Sequence, residues 1–216
     1  MASKRRKAPR TAGRPRKDAG NTLDITRIVD AAWKVVDRDG VTALSTRNVA
    51  AELNVRGPAL YWHVKSKQDL MSLMIERALR DSLRSLPTNL PWWEWLRAYA
   101  HEQRCILLSH RDSGQIASAA PPNEHMRTEI MPQVLAPLLA AGVPQEVATA
   151  AIGALAGFVL GSIIYEQSDP ARKFAQSFSP PEQTFERGLD YFIAGVRART
   201  TPPSRSGRGS RGIPAR

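Results

Sequence analysis

Four helix-start signals follow one another between Asp24 and Asp69, and their spacing leaves room for little except short helices joined by tight turns. Asp24 can cap a helix whose apolar positions, Ile25, Ile28, Val29, Ala32, Val35 and Val36, recur at i, i+3, i+4 and i+7 and so share one face. Gly40, after Asp39, suits a left-handed C-cap. Ser45 offers an N-cap to a second helix with Val49, Ala50 and Leu53 inward. Asn54 tolerates the left-handed backbone of a tight turn, and Gly57-Pro58 opens a third helix where the missing proline N–H costs nothing. Ser66-Lys67-Gln68-Asp69 is a capping-box pattern for a fourth helix carrying Leu70, Leu73 and Met74. Second and third helices about three residues apart predict a helix-turn-helix, which holds its third helix out toward a DNA major groove.

The rest of the chain is also expected to be helical, giving an all-α fold with no strand and no repeat. A helix runs from Pro91 through Trp92, Trp95, Leu96 and Tyr99 to Leu107. Residues 109–122 read as a broken region, and Asn123–Ala141 as a helix kinked at Pro132 and Pro137. An apolar helix follows from Pro144 to about Gln167, then a loop over 168–181, then an amphipathic helix from Glu182 to Arg197. The predicted organisation is a basic disordered arm at 1–20 and a helix-turn-helix domain at 21–82. The fourth helix joins that domain to a larger helical domain at 90–198, with a disordered tail at 199–216.

Charge agrees with a polyanionic partner. The net charge of +11 is concentrated at the ends: residues 1–17 carry eight Lys/Arg and residues 197–216 carry six, with no acid in either. Subtracting those fourteen from +11 leaves −3 for the body. Within the first arm Gly13-Arg14-Pro15-Arg16 resembles an AT-hook core for narrow minor grooves; an arm that touches only phosphates fits equally. The C-terminal arm reads as a solvated tail. One cysteine, Cys105, excludes an internal disulfide and a multi-cysteine zinc cluster. The basic start lacks an apolar stretch behind it, so no signal peptide is read and a cytoplasmic location is expected. Val147–Tyr165 carries no charge and reaches spanning length. Its glycines and alanines, and the absence of a flanking basic cluster, favour a buried core helix over a membrane anchor.

The stretch from Leu23 to about Asp81 resembles the DNA-binding region of the tetracycline-repressor (TetR) family. The resemblance is carried by Ala31-Ala32, Asp39-Gly40, Leu44-Ser45-Thr46-Arg47, Val49-Ala50, Leu53, Val55 and above all Leu60-Tyr61-Trp62-His63-Val64-Lys65. It continues more thinly through Arg104-Cys105, Leu107-Leu108-Ser109-His110-Arg111-Asp112, Leu160-Gly161 and Glu166-Gln167. It implies a ligand-responsive regulator, most often a repressor, that binds a palindromic operator as a homodimer and is released by a small inducer. DNA contacts are expected from Ser45, Thr46, Arg47, Arg56, Gly57, Pro58, Ala59, Tyr61, His63 and Lys67. Arg47 can bridge a guanine edge bidentately, Lys67 can meet a phosphate, and Pro58 and Tyr61 offer surface to thymine methyls. Leu60, Trp62 and Val64 are expected in the core beneath the third helix. Arg56, Gly57 and Ala59 differ from the family's namesake, which implies a different operator.

Alignment through Ser109-His110-Arg111-Asp112 puts Ala117 and Ala120 where the namesake has its magnesium-binding histidine and a threonine, and Gln103 where it has a phenylalanine. A metal chelate is therefore not expected, nor any cofactor, and the inducer is read as mainly apolar and partly aromatic. Trp95, Tyr99, Gln103, Ile116, Phe158 and Tyr165 are the expected pocket. The stripe of Trp92, Trp95 and Tyr99 reads equally as core. Gly153, Gly157 and Gly161 lie four apart on one helical face, which allows close backbone approach. With Phe185, Leu189 and Phe192 they form the expected dimer interface. Ser109, His110 and Asp112 have the residue types of a hydrolase triad, but adjacent in sequence they cannot form its hydrogen-bond chain, so an enzyme is not expected. His63, His101, His110 and His125 show no metal-ligand spacing. An architectural DNA-binding protein without an inducer, and a membrane-anchored regulator, are the competing readings.

Overall fold

The computed structural model describes residues 23–200, so both basic arms, including Gly13-Arg14-Pro15-Arg16, lie outside the described residues. Among these residues every regular element is helical. The first four helices are α1 (Ile25–Asp39), α2 (Thr46–Glu52), α3 (Gly57–Tyr61) and α4 (Lys67–Arg84). The capping side chains act as expected. Asp24 accepts from the Arg27 amide at 2.8 Å, Ser45 from Asn48 at 3.1 Å and Ser66 from Asp69 at 3.0 Å. Asn54 (φ 53°) makes the left-handed turn between α2 and α3, and Gly40 (φ 84°) ends α1 with its N–H bonded to the Val36 carbonyl. These helices enclose a core built on Ile28, Val35, Val36, Leu44, Val49, Leu60, Val64, Leu70 and Met74.

The second domain comprises α5 (Trp92–Leu108), α6 (Ser113–Ala119), α7 (Met131–Ala140), α8 (Gln145–Gln167), α9 (Asp169–Gln176) and α10 (Pro181–Thr200). Two segments expected to be irregular are helical. α6 occupies the region read as broken, and α9 occupies the region read as a loop. α6 buries only Ser113, Gly114 and Ile116, too few for an apolar stripe, whereas α9 carries a short one, Ala171, Phe174 and Ala175, set between Pro170 and Pro180, and buries none of it. The kink expected near Pro132 takes the form of a π-helical turn, Met126–Ile130, running into α7, with Pro137 inside it.

α8 corrects a third expectation. It is long and apolar enough to cross a membrane, yet only 33% of its most apolar window is buried within this chain. One stripe, Ala148, Ala151, Ile152, Leu155, Val159 and Ile163, enters the second core, while Gly153, Ala154, Ala156 and Gly157 are exposed. A helix apolar all round with one face uncovered is built to meet a second surface.

Candidate nucleic-acid interface and ligand groove

The third helix is divided cleanly. Leu60 and Val64 are buried in the first core, and Pro58, Ala59, Tyr61, Trp62 and His63 face outward. Trp62 was expected in the core but is 88% exposed. The reason is angular: Leu60 and Val64 are four apart and fill the inward stripe, which turns the intervening residues away from it. A tryptophan presented to solvent beside an exposed Tyr61 is a surface made for contact. Thr46, Arg47, Gly57 and Tyr61 share one recess of about 280 Å³ between α2 and α3. Gly57 has ordinary backbone and nothing within 4 Å of an added Cβ, so the fold leaves that space open.

Other expected DNA contacts have local duties. The Ser45 hydroxyl caps α2, and the Lys67 ammonium donates to the Val41 carbonyl at 3.0 Å. Arg56 is exposed where it precedes α3.

The expected ligand pocket does not assemble as one site. Trp95 and Tyr99 stack at 5.0 Å in the second core. Burial raises the Tyr99 phenol well above its usual range, while a hydrogen bond with Gln103 works in the opposite direction. Ile116 belongs to the first core, because α6 packs against α4. Only Phe158 and Tyr165 line a groove, of about 430 Å³, between α8, α9 and α10. Gly157, Gly161, Ser162, Glu166, Thr184 and Phe185 complete most of its wall. Phe158 stacks on Phe185 at 5.1 Å, and Arg104 lies over the Phe185 ring at 4.9 Å. Arg104 also pairs with Glu166 through two bonds of 3.1 and 2.6 Å. Arg172, also on the wall, pairs with Asp169, so the charges bordering the groove are matched and leave mainly apolar surface free.

The expected interface divides likewise. Gly153, Gly157 and Gly161 have nothing within 4 Å of an added Cβ. Phe185 and Leu189 are buried in their own chain's core, because with Ile193 they form the inward stripe of α10. Phe192, Tyr191 and Gly195 line a second groove with Ala150 and Ala154 of α8, on the exposed α8–α10 face. Gly188 is where α10 approaches α8, since a Cβ there would lie 2.8 Å from the Phe158 ring. Ser109, His110 and Asp112 each bond elsewhere, to Ile106, Asp37 and Val41, and form no catalytic relay. Among the described residues no three His, Cys, Asp or Glu are placed to hold a metal ion.

An outward-facing recognition helix on a capped tri-helical unit, coupled to a second helical domain with an uncovered apolar face, defines a helix-turn-helix regulator of transcription. Comparison with known proteins makes the class specific. Residues 28–74 match the family profile described as bacterial regulatory proteins, tetR family, and residues 86–187 match the tetracyclin repressor-like C-terminal domain. The class G tetracycline repressor protein of Vibrio anguillarum is 33% identical over 69% of this chain and 71% of its own length. An HTH-type transcriptional regulator of Saccharopolyspora erythraea is 29% identical over 86% of this chain and 90% of its own. A TetR variant of Acinetobacter baumannii AYE, solved with minocycline, superposes with a TM-score of 0.71 at 31% identity, covering 84% of this chain and all of that one. BioQ, solved with its double-stranded DNA operator, gives 0.63 at 29% identity, covering 82% of this chain and 99% of its own. The chain belongs to the TetR family of transcriptional regulators.

Proposed function

We propose that this protein is a cytoplasmic repressor that grips an inverted-repeat operator as a homodimer and lets go when a small, mainly apolar molecule occupies its second domain. The observation that carries the reading is the division of α3 and the turn after it, with Leu60 and Val64 sunk in the core and Tyr61, Trp62 and His63 turned outward. Arg47 supplies a bidentate reader, and Thr46, Pro58, Tyr61 and Trp62 supply phosphate and methyl contacts. Arg56, Gly57, Ala59 and His63 flank them, with Ser45 holding the start of α2 and Lys67 beside the phosphates. One such helix reads too few base pairs, so a second copy must place another about 34–36 Å away. The open glycine face of α8 with Tyr191, Phe192 and Gly195 of α10 is the surface that pairs.

The groove of Phe158, Tyr165 and Phe185 is the ligand site, and its paired charges favour an uncharged, partly aromatic molecule. Ala117 and Ala120 supply no metal ligands, so the inducer binds without Mg²⁺.

Selection of bound duplexes from a random pool tests this reading. An inverted repeat with half-sites about one helical turn apart is expected, and Arg47→Ala should relax preference at one position of each half-site by about 1–3 kcal/mol. Recovery of unrelated duplexes with no repeat would point instead to an architectural protein.

A further inference from the structure

The turn between α5 and α6 is gripped from both sides. From the DNA-binding domain, Asp37 takes the Arg111 amide at 3.0 Å and lies 2.9 Å from His110 Nδ1, while Trp33 stacks on the His110 ring at 4.1 Å. Asp112, in left-handed backbone (φ 53°), accepts from the Val41 N–H at 2.9 Å. Val41 is thus held through its N–H by the second domain and through its carbonyl by Lys67, the first residue of α4. From the other side comes Gln167, the last residue of α8. Its Oε1 accepts from the Gly114 N–H at 2.9 Å, and its Nε2 donates to the His110 carbonyl at 2.8 Å and to Ser113 Oγ at 3.0 Å.

Two glycines permit this grip. A Cβ on Gly40 would lie 3.2 Å from Asp112 Oδ2, and one on Gly114 would lie 3.0 Å from Ile164 and 3.2 Å from Ile163. The chain therefore forgoes side chains at both places where the turn is approached, on the α1 side and on the α8 side.

Gln167 directly follows Tyr165 and Glu166, two walls of the groove, so the groove and the grip share the last turn of one helix. We infer that Gln167 is a positioning residue that couples the groove to the DNA-binding domain. Its amide staples the 110–114 turn, and that turn fixes the α1 corner through Asp37, Gly40 and Val41. A ligand seated against Tyr165 and Glu166 shifts the last turn of α8, withdraws the amide and frees the DNA-binding domain from its single orientation. The effect is bounded by the ligand's differential affinity for the stapled and released forms. The inference rests on reading the chain as a ligand-released DNA-binding protein; the staple itself is tested without ligand or DNA.

The test uses the full chain with Gln167→Ala, Gln167→Glu, Asp37→Ala and the Gln167→Ala/Asp37→Ala pair. Glutamate at 167 keeps the acceptor for Gly114 and loses both donors, so it breaks the staple with little change in volume. Amide exchange read by mass spectrometry should quicken about tenfold over residues 37–44 in both position-167 variants, with α3, α10 and the melting temperature unchanged, because local openings are separate from global unfolding. Affinity for the duplex that the unaltered protein selects from a random pool should fall about three- to tenfold, the range of distant coupling. The double variant should add little to either single one, since both residues serve one contact chain. Unchanged exchange over 37–44 in both folded variants overturns the inference, as does unchanged or tighter DNA affinity, or additive behaviour of the pair. Should the unaltered protein select no duplex, the operator reading falls, and the exchange measurement still decides the staple.

Discussion

Three of the four helices in the DNA-binding half begin on side chains that accept a backbone N–H: Asp24, Ser45 and Ser66. In the second half, α5 and α8 begin after Pro91 and Pro144, α7 and α9 carry a proline in their first turn, and α10 starts at Pro181. A cap satisfies an orphan donor in the folded state and fixes the angle at which the chain enters the helix. A proline presets φ and reduces the freedom of the unfolded chain, but leaves the remaining first-turn donors to water. The helices of the reading head are therefore started by short-range bonds made within it, while its core and the grip of the 110–114 turn supply its longer-range contacts. The second domain is held by packing between helices far apart in sequence, and it is the part with a face still uncovered.

Substitutions of decreasing severity sharpen this contrast. The largest effect is expected inside the reading head, where Leu60→Ala should cost about 2–5 kcal/mol by opening a cavity under α3, read from urea unfolding. Trp62→Ala, two residues on, should leave the unfolding midpoint in place, because the indole is 88% exposed. A comparable midpoint loss for both would show that α3 is not divided as described. Ser66→Ala comes next, at about 1 kcal/mol for the lost cap on α4, measured by the same unfolding transition. Smallest is Pro144→Ala at the start of α8, about 0.4–1 kcal/mol through the unfolded state. If the proline replacement proves costlier than the serine one, the proposed division between capped and proline-started helices fails.

The same contrast explains which elements are legible in the amino-acid sequence. Caps and apolar stripes are local, so α1 to α4, the left-handed Asn54 and the end at Gly40 can be read from neighbouring residues alone. α6 cannot, because Ile116 is the only large apolar side chain it buries, and the short stripe of α9 is masked by Pro170, Pro180 and Pro181, which read as loop. Trp62 misleads because aromatic residues default to cores, and five residues of helix give too little periodicity to say otherwise. Phe185 and Leu189 mislead in the opposite direction: their apolar stripe is legible, but its partner, the chain's own core, is not. The Ser109–Asp112 run stands out only as a resemblance and as a failed triad. Its bonds reach Asp37 and Val41, 74 and 71 positions away, which no local pattern reports.

The division of α3 has a further consequence for how such a protein can change. Leu60 is the buried anchor of the helix, with Val64 sunk in the turn after it, and the space beside Gly57 is vacant, so the outward positions carry little obligation to the fold. Mutation can explore Arg56, Gly57, Ala59, Tyr61 and His63 with little risk of unfolding the chain. A gene copy could thus acquire a new DNA address while inheriting its assembly and its chemical trigger unaltered, so that the two halves diverge on separate schedules.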